Sequence, residues 1–460
     1  RESLAGEPSP LQAFPMCLQA AVYDPYSESE ADNLHPLSFA AKPDPDTLCC
    51  DQAMKAPDRK KFIDAMRGEV DTHTKRGHWE IIDRGEVPQG NKILPSAWAF
   101  KRKRRILTGE AYKHKARLNL HGGKQECGVH FWEAYAPVVQ WASIRLVLIL
   151  PILFSWHTRQ LDFALAYPQA DIEAIQHMKV PRGFATGGKE KALKLAKNIY
   201  GQRQAGRAWA LHLQKALTKR LKFKQSKLGE CVFYRGRTML LVYVGDAILA
   251  GPNPSDIENA MEEMAKHCEM TDEGDLSDYL GANIKKHEGG RFELAQPTLI
   301  SSILEGMTFQ QEAKPKPTPA KPAKMLQRDL GQPPHKAHWG YRQVIGKLNF
   351  LEKSPRPELA AAVHSCAHFS ADPREPHSEA VAHICRYLMG AADKGLILDP
   401  QDHSFEVIAG ADFCGLWNHD AAIGDPSTSK PRIGYVIKHG GCPIAWKSQL
   451  ASEACLSTTE

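Results

Sequence analysis

Cysteine pairs at metal-binding spacing are missing from this sequence. None of the eleven cysteines stands in a Cys-x-x-Cys pair, and only Cys49 and Cys50 adjoin. That excludes a zinc module and a disulfide framework and points to a reducing compartment, hence an intracellular protein of cytoplasm or nucleus. Long apolar runs are missing too. The most apolar stretch, Leu146 to Phe154, is interrupted by Pro151 and is too short to span a bilayer, and no signal peptide opens the chain. Acidic charge is also in short supply, 53 residues against 59 basic ones, for a net charge of +6. The deficit is uneven, because residues 1–50 carry −6 and the remainder +12. A basic body behind an acidic leader suits a partner made of phosphates, although a basic surface kept for solubility reads the same way. At 460 residues there is room for two or three domains.

What is present is organised around Arg237 to Gly251. These residues read as two apolar strands joined at Gly245-Asp246, with glycine supplying the positive φ of a tight hairpin. An aspartate at such a tip is either a turn former or a metal ligand on a rigid platform. Upstream, Thr158 to Asp162 reads as a strand ending in an acid. Lys115 and Arg117 alternate with apolar residues along another strand and share one face. Lys101 to Arg105 is a run of five cations, by itself a solvated face or a phosphate contact. Helical periodicity runs from Asp51 to about Arg76, from Arg207 past Leu217, from Pro254 to His267, from Pro297 to Met307 and through 340–396. His364, His368, His377 and His383 lack acidic or cysteine partners at ligand spacing and read as structural.

Tyr243-Val244-Gly245-Asp246 resembles the Tyr-Val-Asp-Asp box of reverse transcriptases of copia-type retrotransposon polyproteins. The blocks around it keep the family's order: Ala97-Trp98-Ala99-Phe100, Tyr112 to Leu118, Glu133 to Val139, Ser143 to Leu146, Gln160-Leu161-Asp162-Phe163, Val180 to Phe184, and Ile199 to Trp209. The resemblance implies an α+β polymerase of fingers, palm and thumb with an antiparallel palm sheet. A helical connection and the start of a ribonuclease H-like α/β domain would follow. It implies the boundaries 1–50 leader, 51–310 reverse transcriptase, 311–337 Pro/Lys-rich linker, 338–400 connection and 401–460 truncated ribonuclease H-like domain.

The implied activity is RNA-directed DNA synthesis with two Mg²⁺ ions, deoxynucleoside triphosphates and a primer on an RNA or DNA template. Asp162 would be one metal ligand and Asp246 a second. By the same resemblance, Lys115 and Arg117 would grip the triphosphate and Tyr167 would exclude a 2′-hydroxyl. Tyr200-Gly201 would lie beneath template and nucleotide, glycine letting backbone approach the ligand. The first aspartate of the box is Gly245 here, so one ligand position is lost; strand alternation aims Asp246 away from the vacant place, a rule that softens at a hairpin tip and leaves room for partial rescue. Proline gives way to Gly206, and the basic residue after Leu118 is gone.

Gly410-Ala411-Asp412-Phe413 and Leu456 to Glu460 match the ribonuclease H start, again with glycine at the first aspartate. Asp412 and Glu460 are its candidate ligands, and no ribonuclease H activity is expected. The sequence therefore supports a polymerase impaired at its metal box. Its rival is a decayed, non-catalytic relic that keeps nucleic-acid affinity.

Overall fold

Proline and cross-strand polarity decide where the chain bends and which face each strand buries. In the computed structural model they can be followed through residues 46–104, 110–184, 190–227, 229–307, 313–321, 326–328, 331–412 and 419–453. Glu460 and most of the expected leader lie outside these residues. The helix expected from Asp51 to Arg76 is two helices, α1 (Cys50–Lys55) and α2 (Arg59–Lys75). Pro57 separates them, because proline has no N–H to give a helix and clashes with the preceding turn.

Strands β1 (Ser96–Arg104) and β2 (Ala111–Leu120) form an antiparallel pair. Their even-numbered residues Trp98, Phe100, Ala116 and Leu118 turn inward and pack with Phe62 and Met66 of α2. The odd-numbered residues face out, setting Lys101 opposite Lys115 and Lys103 opposite Lys113. Like charges directly opposite oppose pairing, so this ribbon holds its strands together through the apolar face beneath.

The central sheet has six strands among the described residues, all antiparallel. Its members are β3 (His157–Phe163), β4 (Lys224–Gln225), β5 (Val232–Arg235), β6 (Thr238–Tyr243), β7 (Asp246–Gly251) and β8 (Met270–Gly274), in the order β8-β3-β7-β6-β5-β4. Both faces are covered, which explains why β6 and β7 are apolar at nearly every position. Leu240, Val242, Ala247 and Leu249 meet α4 (Ala205–Lys215) and α5 (Pro254–Ala265). Met239, Leu241, Ile248 and Ala250 meet α3 (Trp141–Phe154). Helix α3 is buried from Ala142 through Pro151 and is apolar all round, as a helix sandwiched between layers must be.

The far side of α3 is covered by the C-terminal strands. There β9 (Phe405–Ala411), β10 (Arg432–His439) and β11 (Cys442–Leu450) form an antiparallel sheet, and Cys442 and Ile444 join the α3 core. Arg145 of α3, 3 % exposed, ties the layers together. Its guanidinium donates to the carbonyls of Ile444, Lys353 and Ser354 at 2.8 Å each and stacks on Trp446 at 3.8 Å. Helix α6 (Pro297–Met307) shares one core with α7 (Tyr341–Lys353), α8 (Ala360–Ala367) and α9 (Glu375–Met389). The Lys/Pro segment lies along α9, where Lys316 N–H donates to the Arg386 carbonyl and Arg386 Nε to that of Lys314. Three of the four histidines have hydrogen-bonding partners: His364 meets Arg432, His377 the Gln327 carbonyl and His383 the Thr318 carbonyl. His368 packs edge-on against Phe369. No helix among the described residues is long and apolar enough to cross a membrane.

Candidate active site

The hairpin turn falls one residue earlier than its sequence suggests. Tyr243 pairs with Asp246, so the two-residue turn is Val244-Gly245 and Asp246 is already the first residue of β7. The positive φ, +52°, belongs to Val244, not to Gly245. A β-branched residue in that region is strained and persists only where its surroundings hold it. Here the Trp209 indole N–H donates to the Val244 carbonyl at 2.6 Å, and Phe163 N–H donates to the Gly245 carbonyl at 2.6 Å.

This register sets the orientation of Asp246. Asp246 is the direct cross-strand partner of Asp162, and antiparallel partners project to the same face. The two carboxylates therefore stand side by side. A Cβ at Gly245 would lie 3.5 Å from Asp162 Oδ1 and 3.6 Å from the Phe163 carbonyl, so position 245 looks onto the same acid pair. Burial, then the charge of Asp162, pushes the Asp246 carboxyl up to about 6. Asp162 is raised by burial and by Glu273, against the opposing pull of Lys115, Lys103 and Arg117.

Those three cations belong to the outer face of the β1–β2 ribbon, near enough for their charge to act on Asp162. Lys115 is pushed down to about 8, by burial first and then by Arg117 and Lys103. The Arg117 guanidinium lies 3.9 Å from the Tyr200 ring centre, and the Tyr167 and Tyr200 rings are 5.0 Å apart. Burial raises both phenols, so they stay neutral. The Tyr167 hydroxyl comes within 3.9 Å of where a Cβ on Gly206 would stand. One cluster thus joins Asp162, Asp246, Lys115, Arg117, Tyr167 and Tyr200.

Gly201 also has a close neighbour within the chain. At φ +86°, a Cβ there would sit 2.2 Å from the Leu120 carbonyl oxygen, so the close backbone neighbour is strand β2. Asp412 stands apart, just beyond β9, exchanging hydrogen bonds with the Arg432 backbone.

Several supporting residues escaped the sequence reading. Glu69 of α2 accepts the Leu118 N–H at 3.2 Å, beside Arg117. The loop before α4 is fixed by buried amides: Gln125 donates to Gln176 and Gln204, Gln202 donates to Gln176 and Gln204 to Asn198. Amides spread from 125 to 204 share no local spacing that would have linked them.

The family model described as reverse transcriptase (RNA-dependent DNA polymerase) matches residues 77–322, which span the ribbon, the acid pair and α6. The chain belongs to this reverse transcriptase family. Its relatives include the retrovirus-related Pol polyprotein from transposon TNT 1-94 of Nicotiana tabacum, 29% identical over 423 residues, and that from transposon RE1 of Arabidopsis thaliana, 29% identical over 433 residues. These alignments cover 89% and 92% of this chain but 31% and 28% of the relatives, so the chain spans about a third or less of their length. A solved foamy viral protease–reverse transcriptase in complex with double-stranded DNA aligns with a TM-score of 0.47 at 12% identity, over 85% of this chain and 56% of that one.

As a reverse transcriptase domain of the copia-type class, the chain has the expected α+β architecture and an antiparallel sheet carrying the acid pair. Two facing carboxylates, both with pKa raised chiefly by burial, form a donor set that suits one Mg²⁺, a hard cation that takes one or two carboxylates and completes its shell with water and phosphate. Among the described residues no group of three His, Cys, Asp or Glu side chains is close enough to hold a metal. The residues fit one cation better than two.

Proposed function

We propose that this chain is the polymerase portion of a copia-type retrotransposon polyprotein, an RNA-directed DNA polymerase weakened at its metal box by Gly245. The observation that carries this reading is the register of Asp246 against Asp162, within the charge of the Lys103, Lys115 and Arg117 cations. Asp162 and Asp246 would hold Mg²⁺, which when bound supplies charge neutralisation for the primer 3′-hydroxyl and the leaving pyrophosphate.

The rest is the work of side chains. Arg117, its guanidinium flat against Tyr200, presents a fork matched to phosphate oxygens, and Lys115 adds a second cation. Tyr167, backed by Tyr200, closes the space beside the sugar and discriminates against a 2′-hydroxyl by exclusion. The cationic ribbon outside holds primer and template through their phosphates, an attraction that weakens with salt. Losing one ligand to a catalytic cation is expected to slow the reaction by roughly a thousandfold.

A decayed relic that binds nucleic acid without extending it is the second reading, favoured by glycine at both 245 and 410. Primer extension on an RNA template separates the two. Slow extension that rises by orders of magnitude in Gly245→Asp supports the impaired polymerase. No extension by either protein, with salt-dependent primer–template binding intact, supports the relic.

A further inference from the structure

We infer that Trp209 is a positioning residue for the cation site, its indole N–H holding the β6–β7 turn so that Asp246 meets Asp162. This deepens the polymerase reading and rests on it. Trp209 acts through the backbone on either side of the acid pair. Its Nε1 donates to the Val244 carbonyl at 2.6 Å, two residues before Asp246. Its ring meets that of Phe163, the residue after Asp162, edge-on with ring centres 5.3 Å apart. Phe163 N–H in turn donates to the Gly245 carbonyl at 2.6 Å. Both carbonyls of the two-residue turn are thus pinned, one by the backbone that follows Asp162 and one by the indole.

The turn needs such a hold. Val244 stands at φ +52°, a region that β-branched residues leave unless their surroundings fix them, and Gly245 beside it gives the turn its freest backbone. Packing does not close in from the other side, where a cavity of about 230 Å³ borders Val242, Val244, Phe233 and Trp209 itself. The indole, by contrast, is firmly seated. Trp209 is 2 % exposed, and the His212 ring stacks on it with centres 5.8 Å apart. Its helix α4 starts from Gln204, whose carbonyl takes the Ala208 N–H and whose side chain belongs to the buried amide network. A rigid donor therefore faces a turn with room to relax, and one hydrogen bond decides where the turn, and Asp246 after it, comes to rest.

The test is Mn²⁺ binding by the full chain, followed by electron paramagnetic resonance without nucleic acid or nucleotide. Trp209→Phe and Trp209→Leu keep an apolar side chain in the core and remove the indole N–H. Each should fold, by circular dichroism, and bind Mn²⁺ about tenfold more weakly than the parent. Adding Val244→Gly should return binding to within about threefold of the parent, because glycine takes the positive φ without a hold. A residue serving only the core would not be rescued at the turn. Binding by either folded variant within about twofold of the parent, with Asp162→Asn failing to bind, overturns the role of Trp209 and leaves the polymerase reading standing. So does weakened binding that Val244→Gly fails to restore, or unfolding of both variants, since each assigns the indole to the core alone. Full binding by Asp162→Asn, or no binding by the parent, overturns both.

Discussion

Replacing Gly245 by aspartate should make the protein less stable without a divalent cation and more responsive to one. Position 245 is free of the left-handed backbone strain that would penalise a side chain, and its Cβ meets only Asp162 Oδ1 at 3.5 Å and the Phe163 carbonyl at 3.6 Å. Steric cost is therefore small, and charge decides. Carboxylates about 4 Å apart repel by about 4 kcal/mol at an effective dielectric of 20, an upper bound. Asp246, already held near 6, can take up a proton and relieve part of this, leaving a net loss of about 1–3 kcal/mol at neutral pH. Free Mg²⁺ at about a hundred times its dissociation constant returns about 2.7 kcal/mol. Thermal melts in chelator and in Mg²⁺ read both quantities, at roughly 2–4 °C per kcal/mol for a unit of 150–250 residues. Gly245→Asp should melt several degrees below the parent in chelator, and the gap should close or reverse with Mg²⁺. Identical melting of the two proteins under both conditions would refute the placement of residue 245 against Asp162.

Asp246→Asn tests the same crowding from the other side. The folded carboxyl holds its proton up to about 6 against an ordinary 3.8, so the folded state binds more protons and stability falls as pH rises through that window. The asparagine variant should gain about 1–3 kcal/mol at pH 7 and nothing below the ordinary value, by urea unfolding at both pH values. Asp58 runs the opposite way. Arg102 and His114 hold its carboxyl far below the usual range, so Asp58→Asn should remove stability present at neutral pH, with the loss fading as pH drops below 4. Gly201→Ala forces a Cβ to within 2.2 Å of a carbonyl at positive φ and should cost about 3 kcal/mol or more, seen in melting and soluble yield. Arg145→Met leaves the carbonyls of Ile444, Lys353 and Ser354 without their donor, so limited proteolysis should release the C-terminal strands at protease levels that spare the parent.

The elements themselves were legible. Helix α6 runs over the expected Pro297–Met307, β3 ends next to Asp162 as expected, and Lys115 and Arg117 share a strand face. Periodicity carries that information locally. Register does not appear in a single strand's sequence, so the turn reads at Gly245-Asp246, one residue late, and alternation turns Asp246 from the place of the missing ligand. A one-residue slip of this kind flips every side chain on a strand. Glycine accommodates positive φ so readily that sequence points to Gly245 for it, whereas Val244 adopts it. Arg145 illustrates a second limit. Its block read as a helix, but its partners at Lys353, Ser354 and Ile444 lie more than two hundred residues away in sequence. Nothing local announced that the C-terminal strands complete the core of α3.

That core also bears on which reading of the chain is favoured. Metal-ligand positions are poor contributors to stability, because crowded carboxylates cost energy until a cation arrives. Gly245 and Gly410 both lie where a side chain would meet little or no packing: a Cβ at 410 has nothing within 4 Å, and one at 245 meets only oxygens. On the proposed reading, glycine at either place would remove chemistry while leaving the hydrophobic layers untouched. The contacts that hold the scaffold together lie elsewhere, from Trp209 on the Val244 carbonyl to Arg145 between three layers. On the proposed reading, ligand loss at such a position leaves a folded protein with a weakened centre. Such a protein is one that a single carboxylate restored at 245 should bring back.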